Sequence, residues 1–251
     1  MEHIESERNE SVLVLSLARG KANALNLVLV EELYAAVRAA GADDSVRALV
    51  LASSRPRFFS SGFDVREVFQ YDRPGMKSFF GRFIDLYEAL YHFPKPTVAA
   101  LSGHTFAGGA ILAIACDFRI MADGDFGFAL NEINLGLALT PGIRRMLIGC
   151  VGTAHASEVM LFGEPLTPAR SLEIGLVREL APADEVRGRA LACAKALASK
   201  PVTAFREIKR ALHGFDGETP GSGDRATLDQ FIGMWFSPEA EQCRKAVAAR
   251  L

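Results

Sequence analysis

In the stretch FALNEINLG, Phe128 to Gly136, one carboxylate, Glu132, sits in a run that is otherwise apolar or amide. The flanking Phe128, Ala129, Leu130, Ile133, Leu135 and Leu137 offer it no cation. A carboxyl held among such groups has its charged form disfavoured, and its pKa rises toward the range of a proton shuttle. Asn131 and Asn134 could orient it or could satisfy turn backbone, and a lone Glu after a strand also serves as a helix cap or the partner of an Arg. Two glycine-containing segments offer complementary chemistry. In RFFSSGFDVREV, from Arg57, the small Ser60, Ser61 and Gly62 permit a sharp turn, and the N–H groups near Phe63 open a helical turn without internal partners. The alternative there is an ordinary loop with Asp64 as a cap. In SGHTFAGGAILAIACD, from Ser102, Gly108 and Gly109 open an apolar helix straight after a strand. Close helix–sheet packing would use the same glycines. Two N–H donors and one carboxylate are together what enolate chemistry needs: the donors stabilise a developing oxyanion and the base moves a proton α to a thioester.

Other chemistries lack their residues. No GxGxxG follows a strand, Gly20-Lys21 does not complete a P-loop, and neither GxSxG nor HExxH occurs. Cys116, Cys150, Cys193 and Cys243 are scattered, with no CxxC pair, so neither a metal site nor a disulfide framework is expected, and a reducing cytoplasmic compartment fits. Twenty-eight Lys plus Arg against 30 Asp plus Glu argue against a broad nucleic-acid surface. The opening MEHIESERNE lacks the apolar core of a signal peptide. The segment from Thr97 to Cys116 has no Asp, Glu, Lys or Arg, yet Ser-Gly-His and Ala-Gly-Gly interrupt it, so a buried core rather than a membrane span is expected.

Strand and helix patterns alternate around these segments. SVLVLSL from Ser11, VRALVLA from Val46, TVAAL from Thr97 and FRIMA from Phe118 read as strands. Helices are expected in NLVLVEELYAAVRAA from Asn26, from Gly75 to His92, and in GGAILAIAC from Gly108. This is the pattern of an α/β domain with a largely parallel sheet. After Pro141 nearly all segments suit helices, and GFDGETPGSGD, from Gly214, reads as an exposed loop. The expected division is an α/β core over residues 1–190 and a helical region over 191–251.

FFSSGFDVREV, KPTVAALSGHTFAGGAILAIACDFRIMA and NEINLG, in this order, resemble the crotonase (enoyl-CoA hydratase/isomerase) superfamily, and the similarity extends from NALN at Asn23 through PLTPARSLEIGLVRELAP near Pro165 into the last helices. The resemblance implies a ββα-repeat spiral core, C-terminal trimerisation helices, a homotrimer or hexamer, and an acyl-CoA thioester as substrate, with no cofactor beyond the substrate's own coenzyme A. It places the oxyanion donors on the backbone of Phe63 and Gly108 and the catalytic carboxylate on Glu132. It also implies substrate contacts around Lys21, Ala22 and Ala24, along Ser61, Gly62, Asp64 and Val65, and beside Gly109. His104 could line the mouth of the site or be a satisfied loop histidine. Arg206, Lys209, Arg210 and His213 could meet the CoA phosphates or form a solvated basic face. Family hydratases carry a second glutamate three residues after the oxyanion glycine, where this chain has Ile111. The wording Leu130-Asn131-Glu132 is similar to that of the single-glutamate Δ3,Δ2-enoyl-CoA isomerases. The run Leu137-Ala138-Leu139-Thr140 lacks the further carboxylate of dienoyl-CoA isomerases. The expected activity is therefore an isomerase. A hydratase, or a non-catalytic acyl-CoA-binding subunit, is the alternative.

Overall fold

The computed structural model describes residues 1–213 and 222–249. A hairpin of β1 (Ile4–Asn9) and β2 (Val12–Leu17) leads into helix α1 (Leu27–Ala42), whose first turn is capped by the Asn26 side chain accepting from the Leu29 N–H at 3.0 Å. Three strand pairs follow: β3 (Ala48–Ser53) with β4 (Phe58–Ser60), β5 (Thr97–Leu101) with β6 (His104–Phe106), and β7 (Phe118–Ala122) with β8 (Phe128–Ala129). The first member of each pair enters a six-stranded sheet of order β1-β2-β3-β5-β7-β9, where β9 is Glu179–Ala181. The second member enters a three-stranded parallel sheet of order β4-β6-β8. Apart from the antiparallel β1–β2 hairpin, the larger sheet is parallel. Helices α2 (Val65–Val68) with α3 (Arg73–Tyr91), and α4 (Gly108–Ile114), follow the first and second pairs, which is the ββα repeat of a crotonase-like spiral.

The large sheet sorts its side chains by size with a period of two. Leu15, Leu17, Leu49, Leu51, Leu101 and Met121 face the main core with α1 and α3. Val12, Val14, Ala48, Val50, Val98, Ala100 and Ile120 face the other way. Against that small-residue face lies α7 (Val186–Ala198), presenting Val186, Ala190, Ala194 and Ala198 at a spacing of four. The boundary drawn at 190/191 falls inside this helix.

The remaining helices form the C-terminal layer: α5 (Pro141–Phe162), α6 (Pro168–Glu173), α8 (Val202–Leu212), α9 (Ser222–Trp235) and α10 (Pro238–Ala248). Helix α5 is two segments meeting at Gly152, whose φ of +72° breaks the helical path. The sequence pattern missed β1, β4, β6, β9 and α9. The first is an edge strand with four exposed polar residues, and β4, β6 and β9 are three residues long, held by ladders that local sequence does not encode. The loop expected from Gly214 lies outside the described residues, except that positions 222–224 already belong to α9. Among the described residues no helix is long and apolar enough to cross a membrane, and no group of three or more His, Cys, Asp or Glu could hold a metal ion.

Candidate active site

The segment from Ala22 to Leu25 runs beside Ser61 to Asp64 as a short ladder. The Ser61 N–H donates to the Ala22 carbonyl at 2.9 Å, Leu25 N–H to the Gly62 carbonyl at 2.7 Å, and Asp64 N–H to the Leu25 carbonyl at 2.8 Å. Neighbouring N–H groups of an extended chain point to opposite sides, so the pairing of Asp64 with this ladder turns the Phe63 N–H away from it, the alternation from Ser61 being broken at Gly62, whose φ is +90°. Buried Asn23, at φ +48°, fixes the segment: its amide donates to the Phe59 carbonyl at 3.0 Å and to Ser53 Oγ at 2.8 Å.

Gly62 has a φ of +90°, and a Cβ there would fall 2.8 Å from the Ala107 Cβ and 3.4 Å from the Gly108 nitrogen. The two loops therefore touch, and only glycine allows it. Ala107 itself is held at φ +46°, an uncommon backbone conformation for a residue with a side chain, with its N–H on the Ala129 carbonyl at 2.8 Å. That bend opens α4 at Gly108. Among the described residues neither the Phe63 nor the Gly108 N–H donates an intramolecular hydrogen bond. Gly108 also leaves room for the Phe63 ring, since a Cβ would meet its Cε1 at 2.9 Å. Edge contacts with Phe79 and Phe83, both at 4.9 Å between centroids, hold that ring against α3.

Glu132 starts a 3-10 turn, Glu132–Leu135, directly beyond β8. Gly136, at φ +70°, ends the turn, and the Leu137 N–H returns to the Glu132 carbonyl at 3.1 Å. The carboxyl is buried, its Oε2 has no hydrogen-bond partner, and desolvation pushes its pKa up from 4.5 to about 7. Asn131 Oδ1 is likewise buried and unpaired. Asn134 is spent on backbone, donating to the Gly163 carbonyl at 3.0 Å.

Phe63, Asn131, Asn134 and Glu132 share one cavity of about 380 Å³, and Ala107 brings the Gly108 loop to its edge, although Gly62 and Gly108 are not themselves among its lining residues. Ala24, Ser61, Phe63, Asp64 and Val65 line it beside Ala107, Ile111, Asn131 and Glu132. Its remaining walls are largely apolar: Val68, Phe69, Phe80, Leu135, Leu137, Leu139, Ile143, Phe231, Trp235 and Val247. Asp64 doubles as a structural residue, since it caps α2 through the Arg66 N–H at 3.2 Å and pairs with Arg19 at 2.7 Å. Lys21 and Ala22 are not among the lining residues, although Ala22 is part of the ladder that carries Ser61. Gly109 packs on Ser60, where a Cβ would fall 2.6 Å from the serine Cβ.

His104 lies in β6 away from the lining. Its Nδ1 accepts from the Gly127 N–H at 3.1 Å and its ring is flanked by Phe58, Phe106 and Phe126. The solvated basic face expected on α8 holds for exposed Arg206 and Arg210 and needs correction for the other two: Lys209 is buried, 2.9 Å from Asp117, and His213 stacks on Tyr91 at 3.8 Å. Burial lowers the His213 pKa to about 4. With Arg206 and Arg210 these two line a separate recess beside Phe93, not the cavity of Glu132. The sequence reading overlooked the aromatic wall. Phe231 and the lone Trp235, four residues apart on one helix, were the available signal.

A family model described as enoyl-CoA hydratase/isomerase matches residues 7–220. The mouse (Mus musculus) enoyl-CoA delta isomerase 1, mitochondrial, is 30% identical over 188 residues, 74% of this chain and 65% of the mouse protein, so the match spans just under two thirds of that relative's length. A probable enoyl-CoA hydratase of Rhizobium meliloti is 35% identical over 245 residues, 97% of this chain and 94% of the relative. The crystal structure of human mitochondrial delta3-delta2-enoyl-CoA isomerase superposes with a TM-score of 0.94 over 99% of this chain and 97% of that one. At 24% identity, this last likeness is one of fold. The sequence match over most of the chain, the paired-sheet spiral and the cavity where Glu132 meets the Phe63 and Gly108 loops agree: this chain belongs to the enoyl-CoA hydratase/isomerase family, the crotonase superfamily.

Proposed function

We propose that the protein is a Δ3,Δ2-enoyl-CoA isomerase. The observation that carries this reading is a single buried carboxylate, Glu132, whose Oε2 has no partner, in a cavity whose other candidate acid–base position is filled by Ile111. In this reading the Phe63 and Gly108 N–H groups hold the thioester oxygen of a 3-enoyl-CoA. The Glu132 carboxylate removes a proton from C2, the electron pair moves to give a dienolate, and the donors stabilise its oxygen. The same carboxyl then returns its proton to C4, leaving the double bond at the 2-position. One base suffices because no atom is gained or lost overall. A pKa near 7 suits both halves of the transfer, since the group is neither too weak to take the proton nor too weak an acid to return it.

The reaction is redox-neutral and draws on no cofactor beyond the coenzyme A of its substrate. Lys21, Ala22, Ala24, Ser61, Gly62, Asp64, Val65 and Gly109 are assigned to the substrate's thioester and pantetheine side. The same reading makes the protein a homotrimer or hexamer working in the cytoplasm. A hydratase is the second reading, favoured by the name of the Rhizobium relative, which matches nearly the full chain. Against it, hydration benefits from two carboxylates to hold the attacking water, and Ile111 holds none. Purified protein given 3-enoyl-CoA is expected to form 2-enoyl-CoA, with the absorbance of a conjugated thioester growing in. Water-dependent loss of 2-enoyl-CoA absorbance without that isomerisation would reverse the order of the two readings. Failure to turn over either ester, with binding retained, would identify a non-catalytic acyl-CoA binder.

A further inference from the structure

A second buried carboxylate lies outside the proton-transfer machinery. Asp224, in the first turn of α9, is buried where three elements meet. Its Oδ1 accepts the Gly142 N–H at 2.6 Å, and its Oδ2 accepts from Thr140 Oγ1 at 2.9 Å and from the Tyr87 hydroxyl. Tyr87 belongs to α3, Thr140 is the N-cap of α5, and Gly142 lies in the first turn of α5. The carboxylate thus sits at the positive end of α5 and ties the start of α9 to two other helices. Its approach requires Gly142, because a Cβ there would lie 2.3 Å from Asp224 Oδ2. Burial and the neighbouring Asp224 keep the Tyr87 phenol well above its ordinary pKa, so it remains a donor.

Further along the same helix, Phe231 and Trp235 form part of the cavity wall. They follow Asp224 by about two and three helical turns. Phe231 stacks on Phe80 with 3.7 Å between centroids, and Trp235 meets Phe69 at 6.0 Å. Such apolar contacts are not directional, and the ion pairs that also join α9 to α3, Arg225 with Asp85 and Lys77 with Asp229, are largely exposed, so these contacts alone would let α9 slide or rotate. Three donors converging on one carboxylate do not allow this, because hydrogen bonds weaken steeply with misalignment.

We propose that Asp224 is a positioning residue for substrate selection: by locking the start of α9 to Tyr87, Thr140 and Gly142, it fixes where Phe231 and Trp235 stand and so lets the cavity accept a long apolar acyl tail. The proposal rests on the reading of this cavity as an acyl-CoA site. It assigns the substrate class as thioesters with a hydrocarbon tail, because the wall that would receive the tail offers mainly aromatic and aliphatic faces.

The test is calorimetric titration with two saturated esters that cannot be isomerised, butyryl-CoA and decanoyl-CoA. The wild type is expected to bind decanoyl-CoA at least about 100-fold more tightly, since each additional buried methylene adds to affinity. In Asp224→Asn that preference should shrink about tenfold while butyryl-CoA affinity stays the same, because one amide oxygen cannot serve three donors. Phe231→Ala should lose the preference in the same way. A folded Asp224→Asn that is less thermostable but keeps the wild-type preference overturns the latch alone. Should Asp224→Asn not fold, Tyr87→Phe carries the test by the same criterion. A wild type that prefers neither ester overturns the role of the aromatic wall, and one that binds neither overturns the acyl-CoA reading itself.

Discussion

Glu132 combines burial with the absence of any partner for Oε2, and both its reactivity and its cost follow from that. Replacing it with Gln removes the proton acceptor while keeping the shape, so kcat on 3-enoyl-CoA is expected to fall about a thousandfold with KM little changed. An undiminished rate would reject the mechanism. Because the base must be ionised, kcat/KM of the wild type should rise with pH through about 7 and level off above it. The linkage to stability has the opposite sense. The folded-state pKa lies above its ordinary value of 4.5, so the native protein binds the proton more tightly than the unfolded chain does. This contribution is fully present below pH 4.5 and is lost as pH rises through about 7, at a cost of about 3 kcal/mol at most. Glu132→Gln should therefore gain in melting temperature relative to wild type at pH 8, but not at pH 4. An equal difference at the two values would mean that the carboxyl is not desolvated. At this scale much was legible in the sequence: a carboxylate flanked by apolar residues pointed to a raised pKa, and the Phe63 and Gly108 N–H groups expected to lack internal partners make no hydrogen bond among the described residues. That Asn134 serves the Gly163 carbonyl was not legible, since nothing local distinguishes the two asparagines beside Glu132.

The donors proposed on Phe63 and Gly108 would owe their placement to the meeting of two elements, the turn after β4 and the bend before α4. Gly62→Ala would strain a φ of +90° and drive a methyl into Ala107, separating these loops. The expected result is a kcat reduced about 100-fold, as for loss of one oxyanion donor, with a lower melting temperature. Unchanged kcat in the folded variant would argue that Phe63 and Gly108 do not act as a pair. The long elements were readable because their periodicity spans many residues: α1 and α3 bury a face at helical spacing, and β3 and β5 are runs of apolar residues. The three-residue strands β4 and β6 were read as loops because their ladders join positions more than 20 residues apart, such as Phe58 with His104 and Thr105 with Phe128. Lys209 illustrates the same limit. Its spacing on α8 suggested a solvated face, yet Asp117, from the turn after α4, draws it inside.

For the whole molecule, assembly is expected to cover the apolar side chains left at the surface. Leu161 and Phe162, at the end of α5, are each 68% exposed. Light scattering is expected to give three or six times the chain mass of 27.1 kDa, and Phe162→Glu should shift the population toward smaller species. A monomeric wild type would contradict the expected trimer or hexamer. The sequence by itself determined the α/β class, the order of the long elements and the small motifs that carry chemistry, because propensity, hydrophobic period and glycine content act over a few neighbouring residues. Only the tertiary structure decided what surrounds Glu132. Ala24, Phe63, Ile111, Leu139 and Trp235 come to one cavity from five separate parts of the chain. Desolvation depends on the atoms packed around a group, wherever in the chain they originate. The apolar neighbours of Glu132 in sequence hinted at its burial. Helices that come before and after it in the chain complete that burial.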